Sequence, residues 1–146
     1  MKILNKENLR YAFWMLIVIM VSVLLFGSCN KEELDIKQNF PFEVNVMPVP
    51  KDIKNGQTVE IRMTVQPSGS YIGTKYNLRY FQFDGKGTLR HYNETPYLPN
   101  DLYPLPQKEF RLYYTSASTV SQTFDVWVSD NFGNEKKLEF RFDNSD

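Results

Sequence analysis

The chemistry open to this 146-residue chain is limited by having one cysteine and one histidine. Cys29 is the lone thiol, so neither an internal disulfide nor a multi-thiolate metal site can form. His91 is the lone imidazole, and zinc sites built on paired histidines, or on histidine with cysteines, lack their ligands. A Ser-His-Asp constellation would have to use His91, yet no serine sits in a nucleophile-elbow sequence, so His91 reads as an exposed hairpin residue. Asp84-Gly85-Lys86-Gly87 lacks the span and the Ser/Thr of a phosphate-binding loop and reads as turn chemistry. Glu43, Glu60, Asp125 and Glu139 are scattered, and nothing selects a pair for glycoside hydrolysis. The expectation is no catalytic residue, no metal site and no cofactor. Contact chemistry remains, carried by Tyr97, Tyr103, Tyr113 and Trp127, residue types that dominate binding hot spots.

The elements that must position these side chains have a hydrophobic period of two. Phe42, Val44 and Val46 alternate with Glu43 and Asn45, and Val59, Ile61, Met63 and Val65 alternate with Thr58, Glu60, Arg62 and Thr64. Phe110, Leu112 and Tyr114, then Phe124, Val126 and Val128, then Leu138, Phe140 and Phe142 repeat the pattern. Tyr76 to Phe83 is a further strand of mixed phase, with Tyr76, Leu78 and Tyr80 on one face and Phe81 and Phe83 on the other. That predicts a bulge near Tyr80 and Phe81, or a strand covered on both faces. Asp84 to Gly87 then turns the chain into a hairpin partner, Thr88 to Tyr92. Asp130 to Asn134 marks a second hairpin, with Gly133 at its left-handed position.

About seven short strands and no helical periodicity in this region predict an all-β fold, an antiparallel two-sheet sandwich of immunoglobulin-like type, with a small closed barrel as the alternative. Tyr113 and Trp127 fall out of phase with the core residues of their strands. They lie either on outer faces or beneath a covering loop. Asn93 to Gln107 breaks the rhythm with Pro96, Pro99, Pro104 and Pro106 and cannot be a central strand. It is either a functional loop or an extended crossover between sheets, pinned by Leu98, Leu102 and Leu105.

The N-terminal residues are chemically distinct. Lys2, Lys6 and Arg10 precede an apolar run from Ala12 to Phe26 that is shorter than a membrane-spanning helix requires. The whole chain balances 17 basic against 17 acidic residues. Without the first 28, the remaining 118 residues carry 14 basic and 16 acidic side chains, a net charge of −2. With no basic cluster, direct nucleic-acid binding is not expected. The run ends Leu25-Phe26-Gly27-Ser28-Cys29, which resembles the lipobox of bacterial lipoproteins, with Phe26 where leucine is usual. The resemblance implies cleavage before Cys29, lipidation of Cys29 and attachment to a membrane. Expected boundaries are a signal peptide over 1–28, a lipidated Cys and polar tether over 29–39, and a sandwich over 40–146. Lys31-Glu32-Glu33 resembles the surface-export signal of lipoproteins in Bacteroides-type bacteria, and reads equally as a solvated tether.

Longer blocks carry a second resemblance. Pro41-Phe42 with Met47-Pro48-Val49-Pro50, Arg79-Tyr80-Phe81-Gln82 with Asp84-Gly85-Lys86-Gly87, and Leu98-Pro99-Asn100-Asp101 occur in order, followed by Phe110-Arg111-Leu112-Tyr113-Tyr114-Thr115-Ser116 and Asp130-Asn131-Phe132-Gly133. Together they resemble the TraQ family of conjugal transfer proteins from Bacteroides-type conjugative transposons, across about Leu34 to Asn144. The resemblance implies a small envelope lipoprotein encoded with a DNA-transfer apparatus, and with the Lys31-Glu32-Glu33 signal the expected location is the outer membrane, facing the cell surface. The expected partners are other proteins of the conjugation apparatus, and the family brings no catalytic or ligand residues to carry over. A surface glycan-binding module, with Tyr97, Tyr103 or Trp127 as stacking platforms, is the competing expectation.

Overall fold

The structure, a computed structural model, describes residues 6–26 and 39–145. The chain divides into two compact units, Met1–Ile36 and Lys37–Asp146. In the first, the apolar run forms α1 (Lys6–Phe26), with Glu7 in its first turn, where a carboxylate favours the positive end of the helix dipole. Among the described residues no helix is long and apolar enough to cross a membrane. Cys29 and Lys31-Glu32-Glu33 lie outside the described residues.

Among the described residues the second unit contains nine strands: β1 (Phe42–Val46), β2 (Asp52–Ile53), β3 (Thr58–Pro67), β4 (Tyr76–Asp84), β5 (Gly87–His91), β6 (Tyr103–Leu105), β7 (Glu109–Ser116), β8 (Gln122–Asp130) and β9 (Glu135–Asn144). Sheet one has the order β1-β3-β7-β5 and sheet two the order β2-β9-β8-β4-β6. All pairings are antiparallel except β2 with β9. The expected all-β sandwich is present, and the sheets do not close into a barrel. Its two strands beyond the seven expected, β2 and β6, are too short to show an alternation. Both are edge strands.

The core follows from the alternation. Ile61, Leu112 and Tyr114 of sheet one and Leu78, Phe124, Val126 and Phe142 of sheet two are fully buried, each contributing about 1.5–3 kcal/mol. Tyr114 stacks on Phe124 across the layers, ring centroids 4.4 Å apart, which locks the sheets face to face. At the β8–β9 hairpin the Asp130 carboxylate accepts the N–H groups of Phe132 and Asn134, both at 2.9 Å, and Gly133 takes φ 92°. This is the turn expected there, built by an aspartate that mimics a backbone acceptor.

The other expected hairpin is not formed. β5 pairs with β7, and β4 pairs with β8 and β6, so Asp84 to Gly87 is a corner that carries the chain from one sheet to the other. Gly87 makes the corner possible, because a Cβ there would overlap the Tyr114 ring. The bulge in β4 also lies later than expected. The register shifts between Gln82 and Asp84, so Phe81 stays in phase on the outer face and the irregularity falls at Phe83.

Candidate functional site

Asn93 to Gln107 is a crossover that leaves β5 of sheet one, adds β6 to the edge of sheet two and returns to β7 of sheet one. Pro104 sits opposite Asn77 on this edge strand, where its missing N–H is tolerated. Tyr97 is buried and stacks on half-buried Tyr103 with centroids 4.0 Å apart. The Tyr97 N–H donates to Leu89 O at 2.7 Å, and the Tyr103 hydroxyl accepts from the Leu98 N–H at 2.7 Å. These two rings and Leu105 pin the segment, while Leu98 and Leu102 are exposed. Burial, with the nearby Glu94 and Tyr103, pushes the Tyr97 phenol up to about 12.

His91 is not an exposed hairpin residue. It is buried, its ring is 4.5 Å from Tyr92, and its Nδ1 lies 3.2 Å from the Glu94 carboxylate. The cause is the corner: with β5 in sheet one, alternation turns Leu89 and His91 inward together. At the other end of β5, beside Gly87, the Tyr114 hydroxyl donates to Gln122 Oε1 at 2.6 Å and accepts from Gln82 Nε2 at 2.9 Å. Gln122 Nε2 donates in turn to Ser116 Oγ at 2.8 Å. This network satisfies its own members and positions no reactive group.

The outer faces carry the remaining candidates. On sheet two, Trp127 lies between Arg79 of β4 and Lys137 of β9 in register. The Arg79 guanidinium is 4.1 Å from the indole centroid and the Lys137 ammonium 5.9 Å, so the ring is framed by cations. One step along the strands, Asp125 is flanked by Phe81 and Glu139. Although outward in phase, Asp125 is only 2% exposed, and its Oδ2 meets Lys137 Nζ at 2.6 Å. A carboxylate taken from water needs such a partner. The hydrogen bond to Asp125 raises the Lys137 pKa. Phe81 and Phe83 meet edge to face at 5.0 Å, with Phe83 55% exposed. The result is an aromatic and cationic patch with its central lysine fixed from below.

On sheet one, Glu60 lies among Arg62, Arg111 and Tyr113. The hydrogen bond from Arg62 holds the Glu60 carboxyl below its usual range, and Arg111 and Tyr113 act in the same direction. Arg62 and Arg111 are directly opposite across β3 and β7, so Glu60 relieves a like-charge pair. Tyr113 is half-buried, its ring 6.5 Å from Tyr92.

The four aromatic candidates therefore separate into three places. Tyr97 and Tyr103 come together inside the crossover, Tyr113 lies on one outer face and Trp127 on the other. Residues not expected at the site are Arg79, Phe81, Phe83, Asp125 and Lys137. The signal for them was the outward phase of Arg79, Phe81 and Phe83 in β4, readable only once β4 is paired with β8. Among the described residues no group of three or more His, Cys, Asp or Glu is placed to hold a metal ion.

Fold and site together define an all-β sandwich protein whose distinctive side chains lie on broad outer faces. The chain belongs to the TraQ conjugal transfer protein family, which it matches over residues 12–145. It is similar to a conjugative transposon lipoprotein from Bacteroides eggerthii at 50% identity, covering 71% of this chain and 98% of that one with TM-score 0.67. A lipoprotein from Bacteroides thetaiotaomicron is 53% identical over 78% of this chain and 88% of its own, TM-score 0.67. A conjugate transposon protein from Bacteroides vulgatus is 50% identical over 77% and 91%, TM-score 0.65. No curated protein matches the chain. The family carries a conjugation-related role and envelope association, and it is not a known enzyme class.

Proposed function

We propose that the chain is an accessory envelope lipoprotein of a conjugative-transposon DNA-transfer apparatus, a non-catalytic module that binds and helps assemble other transfer proteins. The observation that carries this reading is the match to a conjugative transposon lipoprotein and a conjugate transposon protein, each at 50% identity, across nearly the whole sandwich. In this reading residues 1–28 are a signal peptide and Cys29 bears the lipid that holds the domain at the outer membrane, exposed at the cell surface. The 29–39 segment is the tether, and 40–146 the immunoglobulin-like working domain. The patch around Trp127 supports contact with a protein partner, since aromatic rings beside arginine and lysine stems make anchor sites. The glycan reading draws less support: Tyr97 is buried against Tyr103, and Arg79 lies close over the Trp127 ring.

The test is transfer frequency in a strain deleted for this chain, complemented with wild type or with Trp127→Ala. Crosslinked pull-downs from the same cells give the second readout. Transfer should fall on deletion, and Trp127→Ala should recover less of the partner proteins while the domain stays folded. Normal transfer in the deletion strain with no partner recovered would refute the proposal.

A further inference from the structure

The four sheet edges differ in how they are closed. β2 has two residues, and β6 has three with Pro104 at its centre. The β5 edge is occupied by the crossover, since Leu89 O accepts the Tyr97 N–H at 2.7 Å and His91 O accepts the Glu94 N–H at 2.9 Å. β1 has five residues with no proline among them. The Met47 N–H donates to Arg62 O at 3.0 Å, which fixes the phase of this strand on β3. Alternation then points the N–H and C=O groups of Phe42, Val44 and Val46 away from β3, and among the described residues no backbone group pairs with them. On either side the chain is held in place, Pro41 O by the Ser68 N–H, which continues the ladder with β3, and Lys51 O by the Asp143 N–H of β9. One side chain guards the edge. Lys136 of β9 reaches Glu43 at 2.8 Å, an exposed ion pair of the kind that contributes little and exchanges readily.

We infer that the β1 edge pairs antiparallel with β1 of a second copy of this chain, joining two four-stranded sheets into one. The occupant is argued from self-complementarity. A two-fold axis through Val44 sets Val44 against Val44 of the second copy and Phe42 against Val46, the three residues whose outward groups have no partner among the described residues. Glu43 then lies opposite Asn45, so no like charges face each other. A register centred on Glu43 would oppose two carboxylates. Pro48, next in phase after Val46, has no N–H to donate and ends the ladder, which limits assembly to one bounded pairing. The pairing does not rest on the transfer-apparatus reading, and either can fail without the other.

The register makes a cross-linking test specific. Glu43 and Asn45 of the second copy form a non-hydrogen-bonded pair, whose Cα spacing of about 4.5 Å suits a disulfide. Full-length chains carrying Glu43→Cys and Asn45→Cys, differently tagged and co-expressed, should give a heterodisulfide several-fold more abundant than either homodisulfide, with the wild-type chain as the control for Cys29. Sedimentation of the purified full chain in detergent should show a concentration-dependent dimer. Val44→Pro removes an outward N–H, at the cost of a valine side chain packed against the core, and Asn45→Glu places carboxylates opposite each other, so both should abolish the dimer. Asn45→Glu should melt as wild type. Heterodisulfide and homodisulfides in equal yield, a chain monomeric at every concentration, or cysteines at 43 and 45 captured by a different protein in place of a second copy would each overturn the inference.

Discussion

Removing the Tyr114 hydroxyl isolates the polar network inside the core. Tyr114 and Gln122 are both fully buried, and the hydroxyl donates to Gln122 Oε1 at 2.6 Å. Gln82 loses less in Tyr114→Phe, because its Nε2 also donates to Asp84 O at 2.7 Å. The unsatisfied Gln122 oxygen costs about 1–3 kcal/mol and the lost bond to Gln82 about 0.5–1 kcal/mol, so the substitution destabilises the domain by about 1.5–4 kcal/mol. That lowers the melting temperature of a domain this size by roughly 10 °C. Urea unfolding followed by far-UV circular dichroism gives the free energy, and the slope should not change. The decisive arm is the double-mutant cycle. In a Gln122→Met background Tyr114→Phe should cost about 1 kcal/mol less, since the orphaned acceptor is gone. Additive costs within about 0.3 kcal/mol would refute the network as the source of the loss. Gly87→Ala probes the same ring from the other side. Its Cβ overlaps Tyr114, whose ring is held by stacking on both Phe124 and Phe142, so the cost is that of overpacking, about 1–3 kcal/mol.

Two further predictions concern pH and anchoring. Burial raises the phenols of Tyr76, Tyr80, Tyr97 and Tyr114, so the unfolded chain loses these protons first; stability is intact below about pH 10 and falls as pH rises toward 12. Tyr97, pushed to about 12, is the largest contributor to that loss, at most about 2 kcal/mol by pH 12, and urea midpoints across this window should fall less steeply in Tyr97→Phe. Cys29→Ser should release the domain from the membrane fraction or leave an unprocessed precursor, and unchanged acylation in that variant would refute the anchor.

What the sequence made legible follows from how many residues vote on each feature. Long strands were visible because alternation over five or more positions in β1, β3, β7 and β8 leaves one consistent phase. β2 and β6 were not, because two or three residues carry no period and their pairing is decided by what β9 and β4 offer. The β4–β5 corner shows the same limit. Asp84 to Gly87 has hairpin composition, yet Gly87 is required by the Tyr114 ring of a strand over twenty residues away, a contact no local pattern contains. The error over His91 descends directly from that corner. Once β5 moves to the other sheet, the imidazole turns inward toward Phe110.

The candidate site was legible in the same graded way. Trp127 and Tyr113 stood out because each breaks the hydrophobic phase of its own strand, and both are on outer faces. Tyr97 and Tyr103 were singled out by composition alone, and they serve the crossover: a segment with four prolines supplies few backbone donors, so stacked rings and the Tyr103 hydroxyl hold it in their place. Asp125 argues most directly that the sheet-two face is more than solvated surface. A carboxylate at an outward position would ordinarily stay in water, where its charge is least costly. Here it is covered by its neighbours and matched to Lys137, whose stem then lies beside Trp127. Fold stability alone gains little from burying such a pair, which a hydrophobic pair of similar volume would replace at no loss. Its consequence is geometric: Lys137 and Trp127 are held in fixed relation, with Phe81 and Phe83 one step along the sheet, and a preorganised surface loses less entropy when a partner docks on it.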